Sequence, residues 1–369
     1  SKEDEAYSRL ASGELNSYDF MINKIANLEI EPAQLALKPC SASAVVTDVN
    51  TGKVVACVSY PGYDNNRLSN EMDTDYYTRL SLDLSSPFFN KATQQTTAPG
   101  STLKLLSAVT GMMENLVDDS TYIECTGKFD LVNPPINCWN KSGHGSLEIR
   151  GAIEQSCNYY FNMIGFEAGK NEKDEFSENL SLSKLQKYAE EFGLDETQEL
   201  KFQRRLLTFR TVRRFRPISD RVTIFIQPVS LRAMQQLWAT SGTVYDLSLL
   251  DKVTDSQGQT QKTYETVVKS EMTDVPSHVW EDIHDGMRRV VQTHEQFNGL
   301  GVALSGKTGT AEIDYRQPNH GLFIGYAPSD QHSMRLQSVL PMDIPPEMPA
   351  PQQMILWNTF LIWQIRILF

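Results

Sequence analysis

Three short strings in this chain bring together side chains able to move an acyl group. Ser101 and Lys104 stand three apart in Ser101-Thr102-Leu103-Lys104. Ser156 and Asn158 stand two apart in Ser156-Cys157-Asn158, and Lys307-Thr308-Gly309-Thr310 follows. They read S-x-x-K, S-x-N and K-T-G. A serine hydroxyl is a weak nucleophile that needs an adjacent base. Residues i and i+3 share a helix face, so Lys104 can reach the Ser101 hydroxyl. A lysine serves as base where burial or a neighbouring cation favours its neutral form, and Lys307 is a candidate for that cation. From a turn, Ser156 and Asn158 can face one pocket: Ser156 to relay a proton to a leaving amine, Asn158 to hold Lys104 and a substrate amide. On a strand, Lys307 and Gly309 share a face and Thr308 points the other way. Lys307 would clamp a substrate carboxylate, with Thr308, Gly309 and Thr310 as the substrate-binding strip. Gly309 leaves room for a substrate backbone. The N–H groups of Ser101 and Thr310 are natural oxyanion donors.

Each string alone is commonplace: a capped helix start, a turn, a hairpin. Their joint occurrence in this order, with Pro99-Gly100 before the first and Thr310-Ala311-Glu312 after the last, points to one acyl-transfer site. The elements that must position them are legible in outline. Residues 1–40 read as a polar, helical lead-in. The run 41–64 reads as two strands around the turn Asn50-Thr51-Gly52-Lys53. Residues 61–98 read as polar loop. After Pro99-Gly100, apolar residues recur at helical spacing, so Ser101 starts a helix, where backbone N–H groups are unpaired. Residues 147–166 suggest two helical stretches with Ser156 between or near them, and GVALSGKTGTAEID and GLFIGYAP read as strands.

The bulk properties exclude other classes. The chain has 369 residues, is 40 % hydrophobic and carries a net charge of −12. That suffices for one large domain or two modest ones, and an acidic chain is a poor nucleic-acid binder. No run of about 18 apolar residues suggests a membrane span. The opening SKEDEAYSRL has neither an initiator Met nor a signal-peptide core, so the chain reads as a piece of a longer protein. Cysteines stand at 40, 57, 125, 138 and 157 with no C-x-x-C pair, which argues against zinc. Cys125 and Cys138 flank a proline-rich loop and could bridge or remain separate thiols. The six histidines lack metal-ligand spacing and read as structural or solvated.

With these strings the chain resembles the transpeptidase domain of class B penicillin-binding proteins, over about residues 41–200 and 240–330. AVVTDVNTGKVVACVSYPGYD is similar to the family's opening hairpin, TTAPGSTLKLLSA to its P-G-S-x-x-K segment, and CWNKSGHGSLEIRGAIEQSCNYYF to its H-G…S-C-N segment. The resemblance implies an α/β (α+β) fold: a five-stranded antiparallel sheet flanked by helices, beside a helical subdomain, over residues 41–369. It implies acylation of Ser101 by a D-alanyl-D-alanine stem peptide, loss of D-alanine, and transfer to a neighbouring stem peptide. β-Lactams would acylate the same serine. No metal or organic cofactor is implied. A wall-synthesis glycosyltransferase partner and a place at the extracytoplasmic face of a bacterial membrane are. A D,D-carboxypeptidase, a serine β-lactamase and a β-lactam sensor would share the three strings.

Two stretches depart from the family. Residues 201–237 carry Arg204, Arg205, Arg210, Arg213, Arg214, Arg216 and Arg221 in an acidic chain. From 331 onward, Pro341, Pro345, Pro346, Pro349 and Pro351 fall where the family has an edge strand and a final helix, and proline would break both. Translated one base out of frame, with synonymous codons chosen freely, the first stretch can encode the family's I-G-Q-G…Q-L-A segment. The second can encode a strand, a turn and a helix. The expectation is that 201–237 and 331–369 are out-of-frame sequence, that the last strand and C-terminal helix are lost, and that the product could be inactive.

Overall fold

The structure, a computed structural model, describes residues 5–26, 41–95, 97–192, 236–311, 319–329 and 334–341. Helices α1 (Glu5–Ala11) and α2 (Ser17–Ala26) fall within the helical lead-in, of which 27–40 lies outside the described residues. Strands β1 (Ala42–Asp48) and β2 (Val54–Tyr60) form the expected hairpin. Its turn is set by Asp48, whose carboxylate accepts from the Asn50 amide at 2.9 Å and the Thr51 hydroxyl at 2.8 Å. Gly52 sits at φ +69°, and a Cβ there would lie 2.4 Å from the Asp246 carbonyl oxygen.

Residues 61–98 are not all loop. They include a 3-10 turn (Asn65–Leu68) and helices α3 (Thr74–Leu82) and α4 (Lys91–Gln94). Asp73 accepts from the Tyr76 amide at 2.9 Å, and Asn90 from the Thr93 amide at 3.2 Å, so side-chain caps start both helices. Helix α3 buries no residue and therefore has no apolar stripe to read.

A 3-10 turn, Gly100–Leu103, runs into α5 (Lys104–Met113), in which every residue from Lys104 to Met112 is buried. It is the central helix, and its buried Ser107 and Thr110 hydroxyls donate to the carbonyls of Leu103 and Leu106 one turn back. Short strands β3 (Ile123–Cys125), β4 (Lys128–Phe129), β5 (Ile136–Asn137) and β6 (Gly145–Leu147) follow, β3 pairing with β6 and β4 with β5. The two expected helices flank Ser156: α6 (Ile149–Glu154) and α7 (Asn158–Ala168). After α8 (Glu178–Glu191), residues 193–235 lie outside the described residues, and with them nearly all of the arginine-rich stretch. Its last two residues, Gln236 and Leu237, are fully buried in a helical segment (α9, 236–240), where the Gln236 side chain accepts from the Tyr245 amide. Strands β7 (Thr243–Tyr245), β8 (Lys252–Thr254), β9 (Thr260–Thr263) and β10 (Val268–Glu271) form two small ribbons. Then come α10 (Ser277–Thr293), β11 (Ser305–Ala311), β12 (His320–Ala327) and β13 (Met334–Pro341).

The main sheet has the order β11-β12-β13-β1-β2, antiparallel throughout. This is the expected five-stranded sheet, with one correction: its last strand is not lost. Residues 334–341 pair with β12 from His320↔Pro341 to Ala327↔Met334 on one side, and with β1 on the other. Pro341 does not break the strand because it is its final residue, where a missing N–H costs least. The strand is central rather than an edge. The remaining prolines and the expected C-terminal helix lie outside the described residues. Amides of residues 335–340 should therefore exchange hydrogen only as slowly as those of β1. Rapid exchange there, measured by mass spectrometry, would contradict a central β13.

Candidate active site

The three strings converge at the N-terminal end of α5. Ser101 lies in the 3-10 turn, and the first residue of α5 places the Lys104 Nζ 3.1 Å from the Ser101 Oγ. The same Nζ donates to the Ser156 carbonyl at 2.8 Å, the Ser156 hydroxyl at 3.2 Å and the Asn158 Oδ1 at 2.5 Å. Lys104 is 2 % exposed, and these oxygens replace the water that its nitrogen has lost. From the far side, the fully buried Lys307 donates to the Ser156 hydroxyl at 3.0 Å and to the Thr308 carbonyl at 2.9 Å. One hydroxyl, that of Ser156, thus stands between the two lysines.

Local backbone geometry makes this convergence possible. Ser156 adopts φ +48°, a left-handed conformation that turns the chain sharply between α6 and α7. Gly100 adopts φ +51°, and a Cβ there would lie 2.4 Å from the Thr310 carbonyl oxygen. At Gly309 a Cβ would lie 3.0 Å from Thr102 Cγ2 and 3.2 Å from the Pro99 carbonyl oxygen. Strand β11 and the Ser101 turn therefore pack backbone to backbone, and this sets Thr310 beside Ser101. Thr308 contributes its carbonyl to Lys307, and Thr310 is exposed.

Sequence reasoning missed the scaffold behind these residues. Helix α10 packs on both α6 and β11. The Arg150 guanidinium donates to Asp282 at 2.6 Å, and that carboxylate is 1 % exposed. Arg289 pairs with the helix-capping Glu148 at 3.0 Å, and Arg288 donates to the Leu304 carbonyl at 2.7 Å, just before β11. A Cβ at Gly286 would lie 2.9 Å from the Ile153 Cβ, so the α10 backbone lies directly against the Ile153 side chain of α6. Burial raises the Asp282 carboxyl while the Arg150 bond opposes it. His320, at the start of β12, bonds the buried Thr97 hydroxyl at 2.8 Å and tethers the segment leading to Ser101. Burial pushes its imidazole down to about 4. Burial also holds His294 below its ordinary range, with the Lys307 charge adding to the effect.

Of the two alternatives for Cys125 and Cys138, the structure has separate thiols: both are unbridged, as is Cys157. With His144 they form one cluster whose four donor atoms all lie within 4.8 Å of one another. Three thiols and an imidazole are a donor set suited to a tetrahedral ion of the zinc class. The pairing of Cys125 with Gly145 across β3 and β6 brings in His144, and Cys157 arrives because it caps α7. The lack of C-x-x-C spacing does not keep these four side chains apart, because tertiary pairing assembles them.

Residues 42–343 match the penicillin binding protein transpeptidase domain family, and the chain belongs to that family. Among curated proteins it is similar to the peptidoglycan D,D-transpeptidase MrdA of Haemophilus influenzae, 24 % identical over 341 residues that cover 82 % of this chain and 50 % of the relative. It is 27 % identical to stage V sporulation protein D of Bacillus subtilis over 337 residues, 86 % of this chain and 47 % of the relative. The chain spans about half the length of the curated relatives it matches. The fold is that of penicillin-binding protein A from M. tuberculosis, solved as a ceftriaxone acyl-enzyme complex, with a TM-score of 0.71 at 19 % identity over 88 % of this chain and 74 % of that one. Penicillin-binding protein 2 of Helicobacter pylori, solved in complex with MreC, gives 0.67 at 17 % identity over 87 % of this chain and 58 % of that one.

Two outcomes follow for stability. Arg150→Ala would leave the buried Asp282 carboxylate uncompensated and should cost about 3–5 kcal/mol in urea unfolding; a change below about 1 kcal/mol would contradict the pairing. An unfolded histidine titrates at about 6.5, well above folded His320, so protons favour the unfolded chain in between. Stability should be full above about pH 6.5 and be lost as pH falls towards about 4. The drop in Tm between neutral pH and about pH 5 should shrink in His320→Gln, and an unchanged drop would contradict this.

Proposed function

We propose that this chain is the catalytic domain of a serine D,D-transpeptidase that cross-links peptidoglycan stem peptides through an acyl-enzyme on Ser101. The observation that carries this reading is the unbroken chain of contacts from Ser101 Oγ through Lys104 Nζ and Ser156 Oγ to Lys307 Nζ. Lys104, acting in its neutral form, takes the Ser101 proton as Oγ attacks the carbonyl carbon of the penultimate D-alanine. The N–H groups of Ser101 and Thr310 receive the developing oxyanion. Ser156 passes the proton to the leaving D-alanine amine. Asn158 holds Lys104 and a substrate amide. Lys307 binds the terminal carboxylate, and the backbone of Thr308, Gly309 and Thr310 takes the peptide alongside β11. A second stem-peptide amine then attacks the ester and frees Ser101. β-Lactams, which present the same carboxylate and strained amide, acylate the same hydroxyl but leave slowly.

Three further features belong to this reading. The substrate lies outside the cytoplasm, so the domain works at the outer face of a bacterial membrane. Among the described residues no helix is long and apolar enough to cross that membrane. The acceptor strand must be supplied by a glycan polymerase, so a wall-synthesis glycosyltransferase is the fitting partner.

Labelling with a fluorescent penicillin tests the reading. The chain should take a long-lived covalent label that Ser101→Ala abolishes. Lys104→Ala should slow labelling roughly 10^2–10^4-fold. Lys307→Ala removes a charge-assisted bond of about 1.5–3 kcal/mol and should weaken binding roughly tenfold to a hundredfold while the fold is kept. A label persisting in Ser101→Ala would overturn the nucleophile, and rapid turnover of the label would favour a β-lactamase.

A further inference from the structure

The oxyanion site assigned above takes one N–H from each of two separate bodies. Ser101 supplies its N–H from the turn before α5, and Thr310 supplies its own from β11. The two lie far apart along the chain, so tertiary contacts set the gap between the donors. Some of those contacts are steric. Gly100 lies against the Thr310 carbonyl, and Gly309 lies against the Pro99 carbonyl and Thr102. Such contacts stop the two bodies from approaching further, but they do not stop them from separating. The Thr102 hydroxyl, beside Gly309, stays within its own turn and donates to the Pro99 carbonyl at 2.6 Å.

A side-chain hydrogen bond supplies the missing attraction. The Thr97 hydroxyl and His320 Nδ1 stand 2.8 Å apart. Thr97 is fully buried and lies four residues before Ser101. Its other bond, to the Ala98 carbonyl, is 3.4 Å long. His320 opens β12, where it pairs with Ala311, and its neighbour Gly321 pairs with Thr310. On its other side His320 pairs with Pro341 of β13. The bond therefore joins the segment that carries Ser101 to the sheet, one residue along from Thr310. Burial is what holds the His320 imidazole below its ordinary range, with no charged group among the described residues adding to it. The ring is neutral at the pH of ordinary growth, and protonating it would bury a charge without a partner.

We propose that His320 is a positioning residue for acyl transfer: through Thr97 it holds the Ser101 N–H at the spacing from the Thr310 N–H that the oxyanion requires. It touches no substrate and moves no proton in the reaction. Oxyanion donors act on charge that exists only in the transition state. A hole that opens slightly therefore slows acylation and leaves the affinity for the intact substrate alone. Acid should loosen the same tie, because the protonated imidazole is expelled from its buried place. The positioning role rests on the acyl-transfer reading above; the bond between Thr97 and His320 does not.

Stopped-flow acylation by benzylpenicillin tests this, because it separates non-covalent binding from the acylation step. Thr97→Val removes the hydroxyl at nearly constant shape. It should slow acylation roughly tenfold or more, with binding changed by less than about twofold and far-ultraviolet circular dichroism unchanged. His320→Ala should do the same. The double variant should be no slower than the slower single one, because both remove one interaction. His320→Asn, whose amide reaches the place of Nδ1, should recover the rate at neutral pH. Near about pH 4–5, where His320 gains its proton, the Asn variant should outpace the unmodified chain. Unchanged acylation in Thr97→Val overturns the proposal, and so does a loss that falls on binding. Effects that multiply in the double variant overturn it too, as do parallel acid profiles for His320→Asn and the unmodified chain. Should Thr97→Val or His320→Ala not fold, the acid profile of His320→Asn decides alone. An unmodified chain that takes no label at all would overturn the acyl-transfer reading instead, and the positioning role with it.

Discussion

The buried amino group of Lys104 is the constraint on which the site depends. A polar nitrogen taken out of water at the head of a buried helix must find hydrogen-bond partners in the protein. It finds them on Ser101, on Ser156 and on Asn158, which belong to two different parts of the fold. The need to satisfy one nitrogen thus draws the α6–α7 turn onto the start of α5. Lys307 repeats the arrangement from the sheet side through the same Ser156 hydroxyl.

That arrangement is held by elements with no chemistry of their own. Helix α10 acts as a common support: ion pairs fix it to α6, and Arg288 fixes it to the segment entering β11. The two motif-bearing elements are therefore spaced by a third. The close packing of Gly100 and Gly309 sets the remaining distance, between β11 and the Ser101 turn. In the sheet, β13 carries the connection from β12 to the β1–β2 hairpin, so β11 is anchored through five strands rather than left on a free pair.

Much of this could be read in the sequence, because chemistry and local pattern coincide at the motifs. Ser101 and Lys104 sit at helical spacing, Ser156 lies between two apolar helical runs, and Lys307 lies in an alternating strand. What could not be read depends on partners distant in sequence. Helix α3 has no buried face, so its capping residue Asp73 was the only available signal. Pro341 argued against a strand because its position at the strand's last residue is visible only in the pairing with His320. The ligand-like group of Cys125, Cys138, His144 and Cys157 has no short spacing, and the β3–β6 pairing assembles it. A cysteine inside the S-x-N string, with two more nearby upstream, was the signal that could have found it.

The central claim is that Ser101 is the acyl-accepting nucleophile of this assembled site. Digestion of the benzylpenicillin-treated chain with trypsin, followed by mass spectrometry, tests it most directly. The account predicts one penicilloyl group per chain, confined to the peptide Ala92–Lys104 and attached at Ser101. An unmodified Ala92–Lys104 peptide, or an adduct on any other peptide, would contradict it.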